Sequence, residues 1–286
     1  MRWTPGGRSD NLEDRRDEGG GGGGGLGGMP RVGLGGIVVL LVLSVIFRRD
    51  LITPFLSAGG ADQANPQATA EANAAEEPVV QFVSFVLDDA QATWARILPT
   101  MGQQYQPAKL VLFRDAINST CGFAQAATGP FYCPLDQRVY IDLGFYQELK
   151  DRFGAPGDFA QAYVLAHEIG HHVQYLLGTD QEMRRAQQAR PEQANALSVK
   201  LELQADCYAG VWGHSTEQRH LLDPGDVEEG IQAAAAVGDD RIQKMSVGRV
   251  NPDAFTHGTS EQRVAWFRRG YDSGRPDACT TFDSAP

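Results

Sequence analysis

Two histidines and a glutamate carry the first chemical signal. They stand as His167-Glu168-Ile169-Gly170-His171 inside the stretch 162–173. On a helix, positions four apart lie about 40° apart around the axis, so both imidazoles leave one face. That arrangement suits two ligands of a tetrahedral zinc, with Glu168 beside the first to take a proton from metal-bound water. A catalytic zinc also needs a third protein ligand and one open position. The metzincin pattern is excluded, because Gln174 and Leu177 occupy the places of its glycine and third histidine. His214 and His220 read as a polar helix end and a loop, and His172 has the wrong phase to join the pair.

The third ligand is expected from Leu201-Glu202-Leu203-Gln204-Ala205-Asp206. Glu202 and Asp206 are one turn apart in an otherwise apolar helix. Burying unpaired carboxylates is costly, so they need a reason to be there. Glu202 as zinc ligand is one reason. Asp206, accepting the N–H of a ligand histidine and fixing its tautomer, is another. A solvated acidic stripe is the bland alternative. The tetrahedral oxyanion of peptide hydrolysis needs a further donor, and His257 in the loop before the last helix is the expected one. Tyr163, one turn before His167, is the alternative donor.

The elements that must position these residues follow from the pattern. Phe159, Ala162, Ala166, Ile169, Val173 and Leu176 give the metal helix a core face from about Asp158 to Leu177, with Gly178 as its stop. A second long helix spans about 192–213, a third about 223–238, and the last begins at a capping box, Thr259-Ser260-Glu261-Gln262. An amphipathic helix opens the folded part near Val79. Residues 107–113 and 138–142 read as strands, residues 121–133 as a loop, and the strand around 139–141 as an exposed edge on which a peptide could pair. Helices outnumber strands. The expected fold class is therefore α+β, a mainly helical metallopeptidase domain with a small sheet, preceded by a single transmembrane helix.

The 286 residues divide into a disordered segment at 1–31, a transmembrane helix at 32–47, a tether at 48–78 and the domain at 79–286. Residues 19–28 are glycine apart from Leu26, a composition that offers nothing to bury. The sixteen uncharged residues 32–47 span about 24 Å, with Arg31 before them and Arg48-Arg49 behind. Counting Arg15 and Arg16 as well, the arginines favour the N-terminus inside and the domain exported. On that reading residues 11–16 form a recognition patch on the cytoplasmic side. The net charge of −11 makes nucleic acid a poor partner. Of the four cysteines, Cys121 and Cys133 flank a Gly129-Pro130 turn and are the expected pair, which leaves Cys207 with Cys279. Three pairings are open, as are free buried thiols.

These stretches together resemble the bacterial neutral zinc metallopeptidase family (YpfJ-like). The likeness lies in Arg2-Trp3, residues 11–16, Cys121-Gly122, Gly129-Pro130-Phe131-Tyr132-Cys133-Pro134, residues 162–174, 202–212 and 238–241, and Phe255-Thr256-His257-Gly258-Thr259 with residues 260–263. The resemblance implies a membrane-anchored, gluzincin-type endopeptidase with one Zn²⁺ per chain. It implies His167, His171 and Glu202 as ligands, Glu168 as acid and base, and a peptide or protein substrate. It places the protein in the bacterial cell membrane as a single-pass protein with an extracytoplasmic domain. The rival reading is a non-enzymatic anchored scaffold or peptide binder with a structural metal. Such a site would be closed by four protein ligands, and the sequence offers three.

Overall fold

Alternation of apolar and polar residues at helical spacing builds most of this molecule. The computed structural model describes residues 1–18, 66–125 and 129–282. Its elements are β1 (Leu12–Asp14), α1 (Pro66–Ile97), β2 (Lys109–Phe113), β3 (Ala116–Ser119), β4 (Gly122–Gln125), β5 (Phe131–Cys133), β6 (Arg138–Asp142), α2 (Gly144–Asp151), α3 (Asp158–Leu177), α4 (Thr179–Ala189), α5 (Ala194–Gln218), α6 (Asp226–Ala236), α7 (Asp239–Val247) and α8 (Ser260–Ser273). The expected class, mainly helical α+β with a small sheet, is what the chain adopts. The segment read as transmembrane, residues 32–47, lies outside the described residues. Among the described residues no helix is long and apolar enough to cross a membrane.

The central element is α3. Phe159, Ala162, Ala166, Ile169 and Val173 are buried as the periodicity requires. Gly170 lies against α5, where an added Cβ would sit 3.0 Å from the Ala205 carbonyl oxygen. Two small residues at the crossing therefore let the backbones approach. α5 and α8 cross in the same way. A Cβ on Gly270 would stand within 1.9 Å of the Cys207 carbonyl oxygen, and one on Gly210 within 2.1 Å of that of Phe267. The third expected helix, about 223–238, is α6; the helices α4 and α7 were not legible in the pattern. The loop expected at 121–133 holds β4 and β5 at its two ends. The capping box of α8 forms as read, with the Thr259 side chain accepting from the Gln262 amide.

The main sheet has the order β1-β2-β6-β5, with β1, β2 and β6 parallel and β5 antiparallel. This corrects two expectations. First, β6 is interior, flanked by β2 and β5, so residues 139–141 offer no free edge; β5 is the edge on that side. Second, residues 1–18 are not disordered. Leu12, Glu13 and Asp14 pair with Leu110, Val111 and Leu112, and residues 11–16 are thus a strand of the domain's own sheet.

The physical reason is that this polar segment meets its charge partners on the domain. Arg16 is buried, with its guanidinium on Asp14 at 2.7 and 2.8 Å and on Glu76 at 2.6 Å. Trp3 packs edge-on against Phe82 at 5.4 Å. Met1 is buried in the core, its amino group 2.8 Å from both oxygens of Asp158. Burying a side chain of that size contributes about 2 kcal/mol. The tether is corrected as well, since residues 66–78 are helical within α1.

All four cysteines pair, Cys121 with Cys133 and Cys207 with Cys279. The first bond ties the β3–β4 hairpin to β5. The second ties α5 to the C-terminal end.

The ion pair with Arg16 outweighs the cost of burial and holds the Asp14 carboxyl down at about 2, against an ordinary 3.8. A depressed carboxyl stabilises the docked segment above pH 4 and loses that contribution as pH falls toward 2. Asp14→Asn should therefore loosen residues 1–18 already at pH 7, read as faster proteolytic clipping there. Wild-type resistance in the variant would remove the ion pair from the argument. At the crossing, Gly170→Val should cost about 1–3 kcal/mol in thermal or denaturant unfolding, and a neutral result would reject the close approach.

Candidate active site

Helix α3 projects His167 and His171 toward α5, and the close crossing at Gly170 and Ala205 brings Glu202 opposite them. Glu202 Oε2 lies 3.2 Å from His167 Nε2, and Oε1 lies 3.4 Å from His171 Nε2. One ligand atom from each of the three residues falls within 4.8 Å of the others. The outer nitrogens are already engaged. His167 Nδ1 is 2.9 Å from Asp206 Oδ1, and His171 Nδ1 is 2.8 Å from Gln174 Oε1. With acceptors at both Nδ1 atoms, each ring's Nδ1–H is engaged, which leaves Nε2 to donate to Glu202 in the metal-free protein and to bind a metal once that proton is lost. Two imidazole nitrogens and a carboxylate converging on one point suit zinc in type and number.

Below the ligands lies a layer of charge. Arg263 is buried and donates from Nε to Asp206 Oδ2 at 2.8 Å and from Nη2 to Oδ1 at 2.9 Å. Tyr163 donates its hydroxyl to Asp206 Oδ1 at 2.5 Å. Asp206, wholly buried, thus receives Arg263, Tyr163 and His167 together. Tyr163 was read as an alternative oxyanion donor; its hydroxyl is committed to Asp206 instead. Gln174 is held in turn, donating to the Leu201 carbonyl at 2.7 Å and to Gln204 at 3.1 Å.

Burial and charge compete throughout the site. Desolvation works against the imidazolium of His167, but Asp206 and Glu202 outweigh it and carry its pKa up to about 10 in the metal-free protein. His171 is raised for the same reason, burial opposing and Glu202 prevailing. Burial opposes ionisation of Glu202, yet the two histidines hold it well below the carboxylate range. Asp206 is lowered against its own burial by Arg263 and His167. Glu168 goes the other way. Its burial dominates and raises its pKa.

His257 enters from the α7–α8 connection. Asp239 Oδ2 accepts the backbone amides of Thr256, His257 and Gly258 at 2.7, 2.6 and 3.0 Å, and Oδ1 lies 3.2 Å from His257 Nδ1. That hydrogen bond raises the pKa of the imidazole. His257 lines one cavity of about 600 Å³ together with His167, Glu168, His171 and Glu202. Phe131 and Tyr132 of the edge strand β5 line it too, as do Phe145, Phe153 and Ile242. His172 stands outside the ligand set. It is buried, with Nε2 2.6 Å from the Gln106 carbonyl and Nδ1 2.9 Å from the Tyr132 hydroxyl.

The structure therefore brings together every residue singled out from sequence for the site: Glu168, His167, His171, Glu202, Asp206 and His257. Three contributors had no assigned role: Arg263, Gln174 and Asp239. For Arg263 a signal existed. It shares the buried face of α8 with Phe267 and Gly270, at spacings of four and three. An arginine on a core face calls for a buried carboxylate, and Asp206 was already a candidate.

Asp206→Asn should lower zinc affinity about 10- to 100-fold, measured by competition with a chromophoric chelator. Because His167 holds its proton at neutral pH in the metal-free protein and His171 is shifted in the same direction, zinc uptake should release protons. Calorimetry in buffers of different ionisation enthalpy reads that release, and its absence at pH 7 would contradict the raised histidines.

A family profile described as "Putative neutral zinc metallopeptidase" matches residues 1–282. The "Uncharacterized protein YpfJ" of Escherichia coli (strain K12) is 49% identical over 286 residues, covering 99% of both chains. The "Uncharacterized protein Rv2575" of Mycobacterium tuberculosis is 44% identical over 209 residues, 69% of each chain. No solved structure gives a significant match.

Proposed function

The chain belongs to the neutral zinc metallopeptidase family, and on that premise we propose that it is a zinc-dependent endopeptidase acting outside the cytoplasm. The observation that carries the reading is the convergence of His167, His171 and Glu202 within 4.8 Å beside a buried Glu168, all opening into one cavity.

Zinc at such a site supplies Lewis acidity toward a carbonyl and lowers the pKa of a water. His167, His171 and Glu202 would hold it. Asp206, backed by Arg263 and Tyr163, keeps His167 in one tautomer and one orientation. Glu168 takes the proton of the attacking water on its carboxylate and passes it to the departing amide nitrogen. Its raised pKa suits both halves of that transfer. His257, whose imidazolium Asp239 favours through Nδ1, donates its Nε2–H to the oxyanion that develops on the former carbonyl. The peptide pairs with the edge strand β5, whose Phe131 and Tyr132 line the cavity, and the apolar wall of Phe145, Phe153 and Ile242 receives side chains of the substrate. Two disulfides support a location outside the reducing cytoplasm. The uncharged run 32–47 supports attachment to the bacterial membrane.

Glu168→Gln tests the mechanism. The variant should retain about one zinc per chain and lose hydrolysis of a quenched-fluorescence peptide library by about 10²- to 10⁴-fold. Unchanged hydrolysis with full zinc would reject Glu168 as the base. His257→Gln should lower kcat more than it alters KM, with zinc content unchanged.

A further inference from the structure

The docked N-terminal segment constrains how the chain meets a membrane. Asp17 accepts a hydrogen bond from the Asn73 side chain at 2.6 Å. Arg8 bridges to Glu77 at 2.5 Å, and Arg16 to Glu76 at 2.6 Å. The residues just before 19 therefore lie beside the N-terminal part of α1, eight to twelve residues after 65. The described residues on either side of 19–65 are thus in contact. A single crossing by residues 32–47 would separate those two places by a hydrocarbon layer of about 30 Å. No hydrogen bond or ion pair spans such a layer.

Two features of the sequence agree. The sixteen uncharged residues reach about 24 Å as a helix, short of the roughly 20 residues that a span needs. Basic residues flank both ends, Arg31 on one side and Arg48-Arg49 on the other, so neither end is marked as the one that must cross.

We propose that residues 1–18 and the zinc-site domain lie on the same side of the membrane. The surface that fixes this arrangement is the edge of β2 together with the N-terminal half of α1, and its occupant is the chain's own segment 1–18. This replaces the sequence-based expectation of a cytoplasmic N-terminus and an exported domain on opposite sides. It does not depend on the zinc chemistry. With two disulfides in the domain, the shared side is the oxidising one, so residues 1–18 are exported with it.

Single cysteines report the arrangement, because the native cysteines are bonded in pairs. Thr4→Cys and Asp10→Cys are exposed positions on the docked segment, and Leu135→Cys is an exposed position on the domain. The full-length protein is expressed in membranes of intact spheroplasts and treated with a membrane-impermeant maleimide, before and after lysis. All three positions should label equally before lysis. Labelling of Leu135→Cys alone before lysis, with Thr4→Cys and Asp10→Cys reacting only afterwards, would overturn the proposal. Labelling of all three only after lysis would keep the shared side and overturn export. Residues 4 and 10 report independently, so local disturbance by one substitution leaves the other to decide.

Discussion

The crossing of α3 and α5 at Gly170 and Ala205 is the constraint on which the site depends. A larger side chain at either contact would push the helices apart, since even a Cβ on Gly170 would stand 3.0 Å from the Ala205 carbonyl oxygen, and interiors packed to crystal-like density pass such a shift on. Glu202 and Asp206 bracket Ala205, and His167 and His171 bracket Gly170. One close contact therefore sets two distances at once, the carboxylate to the Nε2 atoms and the deeper carboxylate to Nδ1 of His167. The glycines at the α5–α8 crossing extend the same logic outward, bringing Arg263 within reach of Asp206.

That outward layer is expensive to build. Asp206 and Arg263 are both removed from water, and a buried ion pair gains little net stability over well-packed apolar residues. Its value here is positional. A carboxylate accepting from Arg263 Nε and Nη2, from Tyr163 and from His167 has few orientations left, and the imidazole it holds inherits that restriction. Asp239 plays a comparable part on the other side of the cavity, gathering three successive amides and so fixing the loop that carries His257. In both places a buried aspartate stabilises a histidine whose reactive nitrogen faces elsewhere.

Much of the site was legible because its signals are local or anomalous. His167, Glu168 and His171 follow from helical spacing. Glu202 and Asp206 stood out as carboxylates in an apolar helix, and the pairing of Cys121 with Cys133 followed from a short loop. What was not legible depends on long-range order. β1 has three residues, two of them charged, a composition that reads as disorder until Arg16, Glu76 and the edge of β2 meet. The place of β6 inside the sheet is set by neighbours far away in sequence, which alternation along one strand does not reveal. Gln174 and Asp239 serve as acceptors for imidazole nitrogens, a role that composition does not announce.

The parallel pairing of β1 with β2 has a consequence for the order of folding. The amino group of Met1 contacts Asp158 and Asp226, 157 and 225 residues ahead, and β1 needs β2, about a hundred residues on. During synthesis the earliest part of the chain cannot complete its docking until most of the rest has emerged. Contacts of such separation are slow to close, so residues 1–18 settle late, on a surface that the remainder has already formed. The segment made first thus acts as the final clasp, and its arrival marks a domain whose helices have found their places.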